Sequence, residues 1–219
     1  MNLLELLNSK EDAYAVTGKV YGVVVGVVTN NQDPEKLGRV KVKYPWLSDS
    51  EESHWARVAT LMAGKDRGSF YLPEVDDEVL LAFEHGDVRF PYVIGMLWNG
   101  KDTPRYDNGD GSNDKRVITS RSGHEFIFDD NDQQGKVVIH TKKNHIITLD
   151  DSTGSEKISI VDKSGSNSVE IDSNQNSIAV KSALKLTIES QVIEIKAGGV
   201  MKIEASGTLT IKGAVVMIN

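Results

Sequence analysis

Two pairs of adjacent carboxylates, Asp129-Asp130 and Asp150-Asp151, recur 21 residues apart. Paired carboxylates are what general acid–base or glycosidic chemistry requires. Each pair, however, runs straight into a polar turn, Asn131-Asp132-Gln133-Gln134-Gly135 after the first and Ser152-Thr153-Gly154 after the second. Aspartate belongs there as a turn initiator, because its carboxylate accepts from backbone N–H groups just ahead. The five histidines, His54, His85, His124, His140 and His145, include no His-x-His and no His-Glu-x-x-His, and the chain has no cysteine. His124 and His145 share the 21-residue interval and read as structural, although three associating chains would bring copies of one histidine to an axis, which leaves an axial ion open. Asp107, Asp110 and Asp114 suggest a calcium loop, but the ligand order and closing bidentate Glu of an EF-hand are missing. No Gly-x-Ser-x-Gly elbow or phosphate-binding glycine loop is present. The expectation is therefore no catalytic residue, no cofactor and no metal ligand.

The elements carrying these residues are repetitive. From Val137 onward, apolar-x-apolar triplets recur: Val137/Ile139, Ile147/Leu149, Ile158/Ile160, Val169/Ile171, Ile178/Val180, Leu186/Ile188, Ile193/Ile195, Met201/Ile203, Leu209/Ile211 and Val216/Ile218. Each predicts a strand of about three residues with two side chains on one face. Turn formers separate them, as in Ser164-Gly165-Ser166-Asn167 and Gly198-Gly199. Strands so short bury a core only by stacking on copies of themselves. All 14 aromatic residues lie at or before Phe128 and all five prolines at or before Pro104, so the interior beyond must be aliphatic and thin. The C-terminal half, residues 117–219, thus reads as a narrow β-helix. Within it Gly123-His124 recurs as Asn144-His145, and Lys136-Val137-Val138-Ile139 as Lys157-Ile158-Ser159-Ile160.

Residues 1–16, with Leu3, Leu4, Leu6 and Leu7 at helical spacing, predict a short helix or arm. Residues 17–98 hold five strand candidates: Lys19–Thr29, Gly38–Tyr44, His54–Met62, Glu78–Glu84 and Tyr92–Leu97. The alternation of Val40-Lys41-Val42-Lys43-Tyr44 is the half-buried pattern. Five antiparallel strands in such a length fit a small barrel such as an OB-fold. Residues 99–116, rich in Gly, Asn and Asp, read as a linker loop. Some OB-folds bind single-stranded nucleic acid, which needs a basic groove with stacking rings. Net charge here is −7, with Glu51, Glu52, Glu74, Asp76 and Asp77 among the rings, so nucleic acid is not expected. No apolar run is long enough to span a membrane, and Glu5 with no basic n-region argues against a signal peptide. The chain is expected to be made in the cytoplasm as a soluble protein.

Several ordered motifs carry a family resemblance. They are Leu37-Gly38-Arg39-Val40-Lys41-Val42-Lys43-Tyr44-Pro45-Trp46, His54-Trp55-Ala56-Arg57-Val58-Ala59, Gly68-Ser69-Phe70-Tyr71-Leu72-Pro73-Glu74-Val75-Asp76-Asp77-Glu78, and Phe83-Glu84-His85-Gly86-Asp87. Together they resemble the OB-fold of VgrG-type and phage baseplate assembly protein V spikes. Thr119-Ser120-Arg121-Ser122-Gly123-His124-Glu125 resembles the start of those spikes' β-helix. The fold class implied is all-β: an N-terminal OB-fold barrel followed by an intertwined triple-stranded β-helix in a homotrimer. The function implied is a structural central spike of a contractile tail or injection machine, located in a virion or injection-system baseplate. A phage tail, a type VI apparatus and an extracellular injection particle all stay open. The rival reading is a carbohydrate-binding or hydrolytic tail fibre, which would need paired carboxylates and aromatic platforms, and the fibre beyond Phe128 has no aromatic residue.

The resemblance implies a baseplate hub protein at the OB-fold side; with sixteen residues ahead of the barrel, that hub is expected to be a separate protein. No lysozyme-like insert lies between barrel and needle. Ile160, Ile171, Ile188, Ile195, Ile203 and Ile211 are expected to form the trimer core. The apolar end Val215, Val216, Met217, Ile218 and Asn219 is expected to dock a PAAR-type tip protein, with transient contact to the target membrane.

Overall fold

The computed structural model describes residues 18–218. The expected arm (residues 1–16) and Asn219 lie outside the described residues. Two compact units are present, Met1–Asp107 and Asn108–Asn219.

The first unit holds β1 (Val24–Asn30), β2 (Lys41–Tyr44), β3 (Ser48–Glu52), β4 (Arg57–Val58), β5 (Ala63–Gly64), β6 (Arg67–Gly68), β7 (Glu78–Phe83), a 3-10 turn (Glu84–Gly86) and β8 (Pro91–Leu97). Six strands form one sheet in the order β3-β2-β1-β7-β8-β4, and β5-β6 form a separate hairpin. Each of the five candidate segments contributes a strand. Two features escape the periodic reading. β3, Ser48-Asp49-Ser50-Glu51-Glu52, has no apolar residue; it forms because β2 offers an edge, with Lys43 opposite Glu52 and Lys41 Nζ 3.2 Å from Glu52 Oε2. The β5-β6 hairpin is only two residues per strand and turns at Asp66, whose φ is +56°.

Alternation along β2 converts directly into the core. Val40, Val42 and Tyr44 are buried, while Lys41 and Lys43 between them are half-buried. Val28, Ala56, Val79, Leu81, Phe83 and Val93 complete the cluster. Each fully buried Val or Leu contributes about 1.5–3 kcal/mol. Tyr44 and Phe83 meet edge to face at 5.8 Å, and burial pushes the Tyr44 phenol up from its ordinary pKa. At Gly26 on β1, a Cβ would stand 2.5 Å from Leu81 Cδ1 and 3.2 Å from the Lys43 carbonyl, so only glycine lets the strands close there. The loop before β2 is tied by Asp33, which accepts from the backbone of Glu35 (3.1 Å) and Leu37 (3.0 Å) and from Arg39 Nε (2.9 Å). Arg39 holds that carboxyl well below the ordinary carboxylate range.

In the second unit, β9 (Lys115–Thr119), β10 (Glu125–Asp129), β11 (Lys136–His140), β12 (Ile146–Asp150), β13 (Lys157–Val161), β14 (Ser168–Asp172) and β15 (Ser177–Lys181) pair in sequence order as an antiparallel meander. The strands are five residues long rather than the three expected, because one further residue joins the ladder on each side of the apolar triplet, Lys136 and His140 on β11 and Ile146 and Asp150 on β12. β9 begins at Lys115 and so takes up the last two residues of the expected linker. The 21-residue period is visible in the turns. The N–H of His124 donates to Ser120 Oγ and that of His145 to Thr141 Oγ1, both at 3.0 Å. Gly123, Asn144 and Gly165, one period apart, all have positive φ (+89°, +62° and +72°), the left-handed step each turn needs.

Candidate functional site

The functional surface of the second unit follows from its register. Across the meander, Phe128, Val137, Leu149, Ile158, Ile171 and Ile178 stand opposite one another in one row. Ile118, Phe126, Ile139, Ile147, Ile160, Val169 and Val180 form a second row two positions along. Positions two apart on a strand share a face, so both rows make one apolar surface. Nearly all of it is open to solvent in the single chain, Ile160 at 50% and Ile171 at 40%. Phe126 and Phe128 pack edge to face at 4.7 Å on it. A contiguous apolar patch of this kind marks an interaction surface.

A margin of the same sheet carries charge of alternating sign. Lys115, Asp129, Lys136, Asp150, Lys157 and Asp172 face one another strand by strand. Lys115 pairs with Asp129, and Lys136 Nζ lies 2.9 Å from Asp150 Oδ2. Burial alone would push the Asp150 carboxyl up, but hydrogen bonding from Ser152 and Lys136 outweighs it and lowers the pKa to about 2. Asp129, Asp130 and Asp150 are therefore ion-paired at strand ends and turns; Asp130 Oδ2 meets Arg116 at 2.7 Å. Strand periodicity alone did not reveal this ladder, although the lysines at one period, Lys115, Lys136 and Lys157, were a usable signal.

From Ser182 to Ile218 the chain forms no strand within itself, and every residue is exposed. Ile188, Ile195, Ile203 and Ile211 lie here, as do Val215, Val216, Met217 and Ile218. Lys196 meets Glu194 at 2.9 Å and Lys202 meets Glu204 at 2.6 Å. Each ion pair spans one intervening residue, Ile195 or Ile203.

Other sequence candidates separate. Asp110 is bound to Ser112 within its own loop, and Asp114 accepts from Asn131 Nδ2 at 3.2 Å, across β9 and β10. His140 joins Asn144 Oδ1 (3.0 Å) to the buried Glu125 (3.6 Å), a pairing that sequence spacing did not suggest. Among the described residues no three His, Cys, Asp or Glu side chains converge as a metal group would require.

Residues 24–98 match the family described as the type VI secretion system/phage-baseplate injector OB domain. Over these residues the first unit is similar to an injector OB domain. Curated relatives extend the likeness past this domain. The chain is 30% identical over 146 residues to the type VI secretion system spike protein VgrG1b of Pseudomonas aeruginosa, covering 62% of this chain and 20% of the relative. It is 30% identical over 138 residues to the type VI secretion system spike protein VgrG3 of Vibrio cholerae, covering 59% and 14%. A third relative, the actin cross-linking toxin VgrG1 of Vibrio cholerae, is 26% identical over 138 residues, 59% of this chain and 12% of that protein. The chain thus spans about a fifth or less of the length of these relatives. The resemblance carried by the motifs from Leu37 to Asp87 holds: an OB domain lies in an all-β chain similar to VgrG spike proteins.

Proposed function

We propose that the protein is the structural central spike of a contractile tail or injection machine, joining a baseplate hub to a membrane-puncturing tip. The injector OB domain faces the hub, and three copies of the second unit close their apolar faces on one another. The observation that carries this reading is the pair of apolar rows left open on the meander, continued by Ser182–Ile218, a segment without strands of its own chain. Buried backbone N–H and C=O groups require partners, and two further copies supply them while hiding both rows. The short ion pairs Glu194–Lys196 and Lys202–Glu204 support the assignment of the core. In extended chain, charges two apart lie on one side and Ile195 or Ile203 between them on the other. Ile160, Ile171, Ile188, Ile195, Ile203 and Ile211 then line the axis.

Such a trimer resists unwinding because three chains must separate together, a kinetic as well as thermodynamic barrier. Its work is mechanical: the machine supplies force and the needle supplies stiffness. The chain itself acts without catalysis, Asp129, Asp130 and Asp150 being held by lysine and arginine. Val215–Asn219 from three chains form an apolar end that a PAAR-type tip covers before transient contact with the target membrane. No helix among the described residues is long and apolar enough to cross a membrane.

Light scattering of the purified protein at micromolar concentration tests the reading. A mass near three times 24.0 kDa is expected, and a monomer overturns it.

A further inference from the structure

A recess of about 610 Å³ on the injector OB domain gathers cations on aromatic rings. The Arg39 guanidinium and Lys41 Nζ lie 5.8 and 5.7 Å from the Trp55 ring, Arg89 lies 5.8 Å from Phe90, and Arg57 lies 5.7 Å from Tyr92. These are cation–π distances. Three of the four cations are already neutralised: Arg39 by Asp33 and Glu35, Lys41 by Glu52, and Arg89 by Asp87. Arg57 differs, since among the described residues its guanidinium meets no carboxylate. Its place is fixed nonetheless. β4 runs parallel to β8 with Arg57 in register with Tyr92, and the Tyr92 hydroxyl donates to Glu84 Oε2 at 2.8 Å. The open fork is thus held over an anchored ring.

We propose that this recess docks an acidic residue of a protein partner, its carboxylate paired in two-pronged fashion with Arg57 and an adjacent apolar side chain lying on Phe90. Charge and ring geometry select this occupant. Arg57 is the cation with donors to spare, and a planar guanidinium matches a carboxylate's two oxygens. A neutral sugar or nucleobase would leave the Arg57 charge uncompensated, whereas a carboxylate neutralises it. An extended polyanion would meet Asp33, Glu35, Glu52, Glu84 and Asp87 around the same rim. A single carboxylate on an otherwise apolar or neutral segment avoids that repulsion. Phe90, 54% exposed, offers the apolar contact. The inference concerns the OB domain alone and stands whether or not the needle trimerises.

The test uses the full chain labelled with 5-fluorotryptophan, with the Trp55 fluorine resonance assigned by Trp55→Phe. The probe is N-acetyl-Pro-Glu-Phe-amide, raised to about 10 mM to reach the millimolar Kd expected of one charge-assisted contact. A saturable shift of Trp55 is expected, with Trp46 and Trp98 unmoved. The Gln-for-Glu peptide should bind about tenfold more weakly, and Arg57→Gln should weaken the Glu peptide by about the same factor. Unchanged Trp46 and Trp98 resonances in Arg57→Gln confirm that the domain still folds. A silent Trp55, equal binding of both peptides, or full binding by Arg57→Gln overturns the proposal. So does a Trp55 shift produced by a single-stranded oligonucleotide or a glucose oligosaccharide but not by the peptide.

Discussion

Lys136 stands directly opposite Asp150 across β11 and β12, its Nζ 2.9 Å from Oδ2. Asp150 is also opposite Lys157 on the next strand, and Lys136 opposite Asp129 on the previous one. A slip of one residue would place like apolar rows on the wrong face and break every one of these pairings together. The ladder therefore holds register in a sheet whose repeated apolar triplets would otherwise pair in several ways.

Acid should loosen this sheet through Asp150. Its carboxyl is lowered from 3.8 to about 2, so the folded state favours the ionised form. The stabilisation is present above the ordinary carboxylate pKa and is lost as pH falls from about 4 through about 2. Thermal unfolding followed from pH 7 to pH 2 should show that loss, and Asp150→Asn should flatten it. An identical acid profile in both proteins would remove Asp150 from the account.

In the proposed trimer, Ile203→Asp should abolish assembly, because three carboxylates would meet on a dry axis, where each unpaired charge costs several kcal/mol. Lys202→Ser, one residue away and facing outward, should cost no more than about 0.5 kcal/mol. Sedimentation and melting of the two variants side by side check this, and equal behaviour refutes the placement of Ile203.

If the proposed trimer docks its tip through this end, removing Val215–Asn219 should leave assembly intact and abolish capture of a PAAR-type tip protein in pull-downs. Retention of the tip by the shortened spike would place docking elsewhere.

Gly26→Ala should destabilise the OB domain by about 1–3 kcal/mol, since its methyl would overlap Leu81 Cδ1 and crowd the Lys43 carbonyl. A denaturant midpoint within error of the parent protein would show that the β1–β7 contact yields more easily than its packing suggests.

Periodicity by itself determined the half-buried strands of the OB domain, since Val40, Val42 and Tyr44 alternate with lysines whatever lies beyond them. The 21-residue interval likewise placed Gly123, Asn144 and Gly165 in equivalent turns, because a left-handed step accepts glycine or asparagine readily and few other residues. Tertiary structure decided what local pattern does not encode. β3 has no apolar residue and exists only as a partner for β2's edge. Arg57 meets Tyr92 only because β4 joins β8 in parallel, a pairing between segments more than thirty residues apart. The pairing of Glu125 with His140 depends on the β10–β11 register. In Ser182–Ile218 the relation inverts: the triplets Ile193/Ile195 and Met201/Ile203 announce strands, yet one chain forms none. Strands need neighbours to satisfy their backbone, and for this segment the sequence names the pattern while the single chain supplies no ladder; in the proposed trimer, further chains would.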